Sequence, residues 1–160
     1  MTSQLPKITH VLELCLYARH LPTSVAFYSQ TLRLGTPFLD TPRMAGFSLG
    51  ATTLLVFQRG ATSADSPMPD GRGVIPGHGP AADSDVPDGD AAMASLKLRT
   101  HFALAVDRAA DVDAWEGEFR TAGVTVLGTV AWPRGGKSVY FADPDGHVGE
   151  IASRGIWPHY

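Results

Sequence analysis

Apolar residues alternate with polar or small ones along ELCLYA (13–18) and HFALAV (101–106), the period-two pattern of strands with one buried face. Each is followed by a polar break and then by apolar residues at helical spacing. In the second segment Val112, Trp115, Phe119 and Ala122 form the stripe. Asp111 is the expected N-cap, and Gly123 suits the left-handed position past the helix end. In the first, Val25, Tyr28 and Leu32 mark the stripe, Pro22 suits the first turn and Gly35 is the expected stop. FSLGATTLLVF (47–57) and KSVYFADPDGHVGEIAS (137–153) continue as strands, the latter broken by a tight polar turn.

The two halves correspond at a constant offset of 88 residues: Glu13 with His101, Leu16 with Leu104, Phe27 with Trp115, Gly35 with Gly123. Phe119 falls opposite Thr31, so the match is imperfect. A duplicated strand–helix–strands unit, an α+β fold, is the simplest architecture. It gives a single domain over 1–160: module 1 (7–58), a Gly/Pro/Asp-rich connection (59–97), module 2 (98–154) and a tail (155–160). The connection is too long for an ordinary loop and reads either as a flexible linker or as a lid over a site. GVIPGHGP (73–80) is the part expected to be ordered. His78 within it is a candidate substrate contact, or simply a solvated imidazole.

Strand alternation puts Glu13, Cys15 and Tyr17 on one face of the first strand and His101, Ala103 and Ala105 on one face of its counterpart. The bulkier apolar faces should pack on the helices, which leaves small side chains and one ligand-type residue on each accessible face. Glu150, between Gly149 and Ile151, needs a partner, because a buried carboxylate is costly unless paired or metal-bound. Duplication would relate Glu13 and His101 about a pseudo-twofold axis. With Glu150 they would make a three-ligand divalent metal site with open positions for water or substrate. The same residues also read without a metal: Glu13 as an edge-strand charge in water, His101 as a hydrogen-bonded structural residue, Glu150 paired with Arg134 or Lys137.

WPRGGKS (132–138) reads as a hairpin whose Trp132, Arg134 and Lys137 guide a substrate or form a rim. GFSLG (46–50) has the letters of a nucleophile elbow, but a strand rather than a helix follows it. His147 is expected to be exposed in its turn, and His10 and His20 find no ligand partner. The net charge of −3 and the lack of any Lys/Arg cluster argue against nucleic acid or an anionic membrane as partner. The single Cys15 excludes an intrachain disulfide and fits a cytoplasmic setting. No signal peptide or membrane-spanning run is evident.

SVAFYSQTLRLG, HFALAV and YFADPDGHVGEI together resemble the vicinal oxygen chelate superfamily. That group includes glyoxalase I, ring-cleaving extradiol dioxygenases, fosfomycin-modifying enzymes and bleomycin resistance proteins. The resemblance covers nearly the whole chain apart from 59–95. It implies two βαβββ modules pairing into a cup-shaped mixed β-sheet, a homodimer, and a divalent metal ion: Fe2+, Mn2+, Ni2+ or Zn2+. Carried over by position, Glu13, His101 and Glu150 are the implied metal ligands. The fourth position falls near Leu55 and offers none, unlike glyoxalase I. Tyr140 stands where the dioxygenases carry a substrate-facing Tyr, so Tyr140 and Glu150 are the candidate catalytic residues. Their acid–base His has no match unless His78 serves. The implied activity is that of a metal-dependent dioxygenase, lyase or isomerase on a small molecule with two neighbouring oxygens. The alternative is a non-catalytic antibiotic-binding protein of the bleomycin resistance type. Retention of three ligand-type residues favours the first.

Overall fold

The structure is a computed structural model that describes residues 9–82, 100–158 and 160. Its first half runs β1 (Glu13–Ala18), α1 (Leu21–Ala26), β2 (Leu39–Asp40), β3 (Met44–Leu49) and β4 (Thr52–Gln58). The second repeats the plan: β7 (His101–Val106), α2 (Ala109–Thr121), β8 (Val126–Ala131), β9 (Lys137–Ala142) and β10 (Val148–Ser153). The sheets have matching orders, β1-β4-β3-β2 and β7-β10-β9-β8. In each, the first strand pairs parallel with the last, and the remaining pairs are antiparallel. The duplication read from the sequence is thus a duplication of topology.

Helix α2 carries the expected stripe, with Val112 and Phe119 buried. It begins three residues earlier than expected. Arg108 is the N-cap, and Asp111 sits in the first turn, where its carboxylate accepts the Arg108 backbone N–H (3.0 Å) and pairs with the guanidinium (2.7 Å). A first-turn carboxylate satisfies an otherwise unpaired N–H and sits well with the helix dipole. Gly123 takes the left-handed conformation (φ 71°) as expected. Helix α1 ends sooner than Gly35. After Ala26 it widens into a π-turn over Phe27–Thr31, closed by Leu32 N–H donating to the Phe27 carbonyl at 3.0 Å. Arg33 then turns left-handed (φ 54°), its side chain held by Glu118 (2.8 Å) and the Trp115 ring.

Both sheets press on one core. Leu16, Phe47, Leu54 and Val56 come from the first, and Phe102, Val139, Phe141 and Ile151 from the second. Tyr28 of the π-turn lies between them, fully buried, with its ring near those of Phe47 and Phe102. Its hydroxyl donates to Asp143 at 2.7 Å. Because each sheet turns its apolar face to this shared core, the opposite, helix-free face of each sheet points away from it.

The turn before β10 ties the halves together. Asp143 accepts the N–H groups of Asp145 (3.0 Å) and His147 (2.8 Å), which shapes the turn. Asp145 reaches across to accept the Arg19 N–H and the Ser24 hydroxyl, both at 2.7 Å. His147 is not exposed as the sequence suggested; it is 2% exposed. Its Nδ1 accepts the Thr100 N–H (3.1 Å) and its Nε2 donates to the Tyr17 carbonyl (3.0 Å), which fixes the Nε2–H tautomer.

The described part of the connection, 59–82, folds back on module 1. It includes the small hairpin β5–β6 (Ser66–Pro67 with Val74–Ile75). Thr62 and His78 are joined through backbone and hydroxyl hydrogen bonds, and Gly79 lies so close to the Tyr17 ring that a Cβ would overlap it. The rest of the connection lies outside the described residues. Among the described residues no helix is long and apolar enough to cross a membrane.

Candidate functional site

The helix-free face of the second sheet gathers His101, Tyr140 and Glu150. β7 and β10 run parallel with Ala103 opposite Glu150, and β9 places Tyr140 opposite Glu150 on the other side. Alternation then puts His101, Tyr140 and Glu150 on the same face, with Ser138 two residues along. Gly149 is needed at its position because a Cβ there would lie 2.1 Å from the Phe141 ring. The core therefore packs hard against the back of the strand that presents Glu150.

His101 Nε2 lies 3.2 Å from Glu150 Oε2. The imidazole is 54% exposed and the carboxylate only 6%. Tyr140 also hydrogen-bonds to Glu150. Burial first, then the charge of Glu150 and the hydrogen bond to it, raise the Tyr140 phenol above its ordinary value; Ser138 pulls the other way. An ionised Glu150 can only accept, so Tyr140 O–H is the donor in that bond. Trp132 Nε1–H in turn donates to Ser138 Oγ at 2.9 Å. A relay of Trp132, Ser138 and Tyr140 thus ends at the carboxylate. Ser138, fully buried, is the member that sequence reasoning missed. Its parity with Tyr140 and Glu150 was the available signal.

The other expected contacts fall elsewhere. Lys137 has the opposite parity from Ser138 and Tyr140, and it pairs with Asp113 on α2. Arg134 is exposed in the β8–β9 hairpin. Glu150 therefore takes His101 and Tyr140 as neighbours, and Lys137, one of the two cations considered for it, is engaged elsewhere. The imidazole of His78 is exposed and hydrogen-bonds locally to the Pro76 carbonyl (3.1 Å).

Glu13 is exposed on the helix-free face of the first sheet, alongside Cys15. Burial, then the Glu13 charge, raise the Cys15 thiol. Leu55 pairs with Cys15 as Glu150 pairs with Ala103, so Leu55 is the topological counterpart of Glu150 and offers no ligand. Among the described residues of one chain, no three His, Cys, Asp or Glu side chains converge as a metal site. The sheet geometry gives the reason: Glu13 and the His101–Glu150 pair occupy faces turned away from one shared core. An imidazole nitrogen and a carboxylate oxygen 3.2 Å apart suit a divalent first-row ion, but one chain brings two such donors together rather than three.

A family model described as Glyoxalase/Bleomycin resistance protein/Dioxygenase superfamily matches residues 7–151. A lactoylglutathione lyase from Agrobacterium tumefaciens is 28% identical, covering 96% of this chain and 99% of that one, with a TM-score of 0.75. A glyoxalase/bleomycin resistance protein/dioxygenase from Nocardioides is 21% identical over 98% and 91% of the two chains (TM-score 0.64). Oxidase ChaP-H2 is 19% identical over 92% and 95% (TM-score 0.56). No curated protein matches the chain.

Proposed function

This chain belongs to the glyoxalase/bleomycin resistance protein/dioxygenase superfamily, and on that premise we propose that it is a metal-dependent enzyme acting on a small molecule through two neighbouring oxygens. The observation that carries this reading is the His101–Glu150 pair, 3.2 Å apart, with Tyr140 hydrogen-bonded to the same carboxylate. His101 and Glu150 would hold the ion, and Glu13 of a second copy would complete the set. The helix-free faces that carry these residues point outward in one chain, so two copies are what can bring them face to face. The ion would supply Lewis-acid polarisation of a bound oxygen.

The chain's own residues do the rest. Glu150 accepts a hydrogen bond from Tyr140 and lies 3.2 Å from His101 Nε2, so it is oriented before any ligand arrives. Tyr140 keeps its proton at Oη, where it serves as a donor toward charge that develops on a substrate oxygen. Ser138 and Trp132 hold that hydroxyl in place. Leu55 removes a fourth protein ligand and leaves room at the site. For this reason we place the reaction among dioxygenase, lyase or isomerase chemistries, without transferring the activity of the Agrobacterium lyase.

Elemental analysis of protein purified without chelator tests the reading, on wild type and on Glu150→Gln. Near-stoichiometric iron, manganese, nickel or zinc in wild type, lost in the variant, is expected. Absence of metal from wild type, even after these ions are added, would leave non-catalytic small-molecule binding as the better account.

A further inference from the structure

We propose that the cleft between the two modules is a second binding site, for an uncharged, largely apolar small molecule. It depends neither on the metal reading nor on the face that carries Glu150.

The core does not close completely where the modules meet. Leu14 of β1, Leu34 after the π-turn, Leu49 of β3, Leu104 of β7, Trp115 of α2 and Ile151 of β10 wall a cleft of about 460 Å3. Close-packed interiors hold few voids larger than a water molecule. A dry cavity of about 150 Å3 already accepts benzene, so this cleft has room for roughly two or three fused rings. Volumes of about 300 to 1,000 Å3 at the junction of folded units are typical of small-molecule sites. Segments from both modules surround the cleft, so it admits a small molecule rather than the flat surface of another protein.

The lining fixes the chemistry of the occupant. Among the described residues no ionisable side chain lines the cleft, so a charged group there would lose its hydration without gaining a partner. The nearest charges stay outside. Arg33 lies over the Trp115 ring, 6.0 Å from its centroid, and pairs with Glu118 at 2.8 Å; both line a separate surface groove that shares Trp115 with the cleft. Arg33 is a non-glycine residue held left-handed (φ 54°), a strained conformation, and its two neighbours Leu32 and Leu34 both line the cleft. The polar groups of the wall are few and neutral. Thr52 and Thr53 contribute from the start of β4. β7 ends its sheet, and Val148 N–H donates to the Thr100 carbonyl at 2.9 Å. Alternation along a parallel ladder then turns the backbone groups of Ala103 and Ala105, both on the cleft wall, toward the open edge. One neutral hydrogen-bonding group on the ligand matches that edge. Ile151 and Glu150 stand on opposite faces of β10, so the ligand lies behind the His101–Glu150 pair rather than on it.

The test uses two fluorescent probes with the same anilinonaphthalene body. N-phenyl-naphthylamine is neutral, and anilinonaphthalene sulfonate carries a negative charge. Titration of the full chain should show a single saturable site for the neutral probe, with the sulfonate at least about tenfold weaker. Leu34→Trp and Leu49→Trp, which fill the cleft, should each weaken the neutral probe at least about tenfold, while Glu150→Gln leaves its binding unchanged. NMR locates the probe in wild type without any variant: nuclear Overhauser contacts to the methyls of Leu104 and Ile151 are expected, and these decide if a filling variant does not fold. Absence of saturable binding, equal binding of the two probes, contacts to Tyr140 instead, loss of binding in Glu150→Gln, or binding that survives in both folded filling variants overturns the site. None of these readouts uses a metal, so this site and the metal reading stand or fall separately.

Discussion

Tyr140 hydrogen-bonds to Glu150 and to Ser138, so replacing it by Phe removes both interactions and little volume. Loss of such an outer partner typically weakens metal binding about 10- to 100-fold. Competition against a chelating dye should show this for Tyr140→Phe, with the circular dichroism spectrum unchanged. If Ser138 acts only through Tyr140, Ser138→Ala should weaken metal binding on its own and add nothing in the Tyr140→Phe background. Tyr28 offers a separate test of the core. Burial, and then Asp143, hold its phenol far above the ordinary value of 10.0. A raised folded-state value means that the contribution is fully present below about pH 10 and is lost as pH rises beyond it, where the unfolded chain ionises and the folded one does not. Thermal melts from pH 8 to 11 should show stability falling on the alkaline side. Tyr28→Phe should soften that fall, at a cost of about 1–3 kcal/mol near neutrality because Asp143 loses its buried donor.

At the scale of elements, the turn from Asp143 to His147 fastens the two modules. Asp145 accepts the Arg19 N–H just past β1 and the Ser24 hydroxyl on α1. Asp145→Ala should destabilise the fold by about 1–3 kcal/mol in chemical denaturation, with Ser24, fully buried, left without its acceptor. Periodicity exposed the strands, the α2 stripe of Val112 and Phe119, and the duplicated plan, because those patterns record which face meets the core. The same parity argument puts His101 and Glu150 on one face and sets Lys137 one residue out of phase with Ser138 and Tyr140. His147 was not legible in this way. Its partners are backbone groups of Tyr17 and Thr100, distant in sequence and identical in every residue type. The early stop of α1 was hidden for a related reason. The π-turn is set by the packing of Phe27 and Tyr28 between two sheets, and a helical stripe carries no mark of that.

For the whole molecule, the decisive feature is that one core serves both sheets. It turns Glu13 to one side and His101 with Glu150 to the other, so the proposed three-ligand set would need a second copy. Symmetric pairing would then build two equivalent sites, each with Glu13 from one copy and His101 with Glu150 from the other. That division of labour can be read out directly. Glu13→Gln and Glu150→Gln homodimers should each fail to hold metal. When the two are unfolded together and refolded as a mixture, every mixed dimer regains one intact site, built from the undamaged Glu13 of one chain and the undamaged Glu150 of the other. Metal analysis of the isolated mixed dimer is therefore the measurement to make: one ion per dimer is the predicted result, and a mixed dimer as empty as its parents would contradict a site shared between copies.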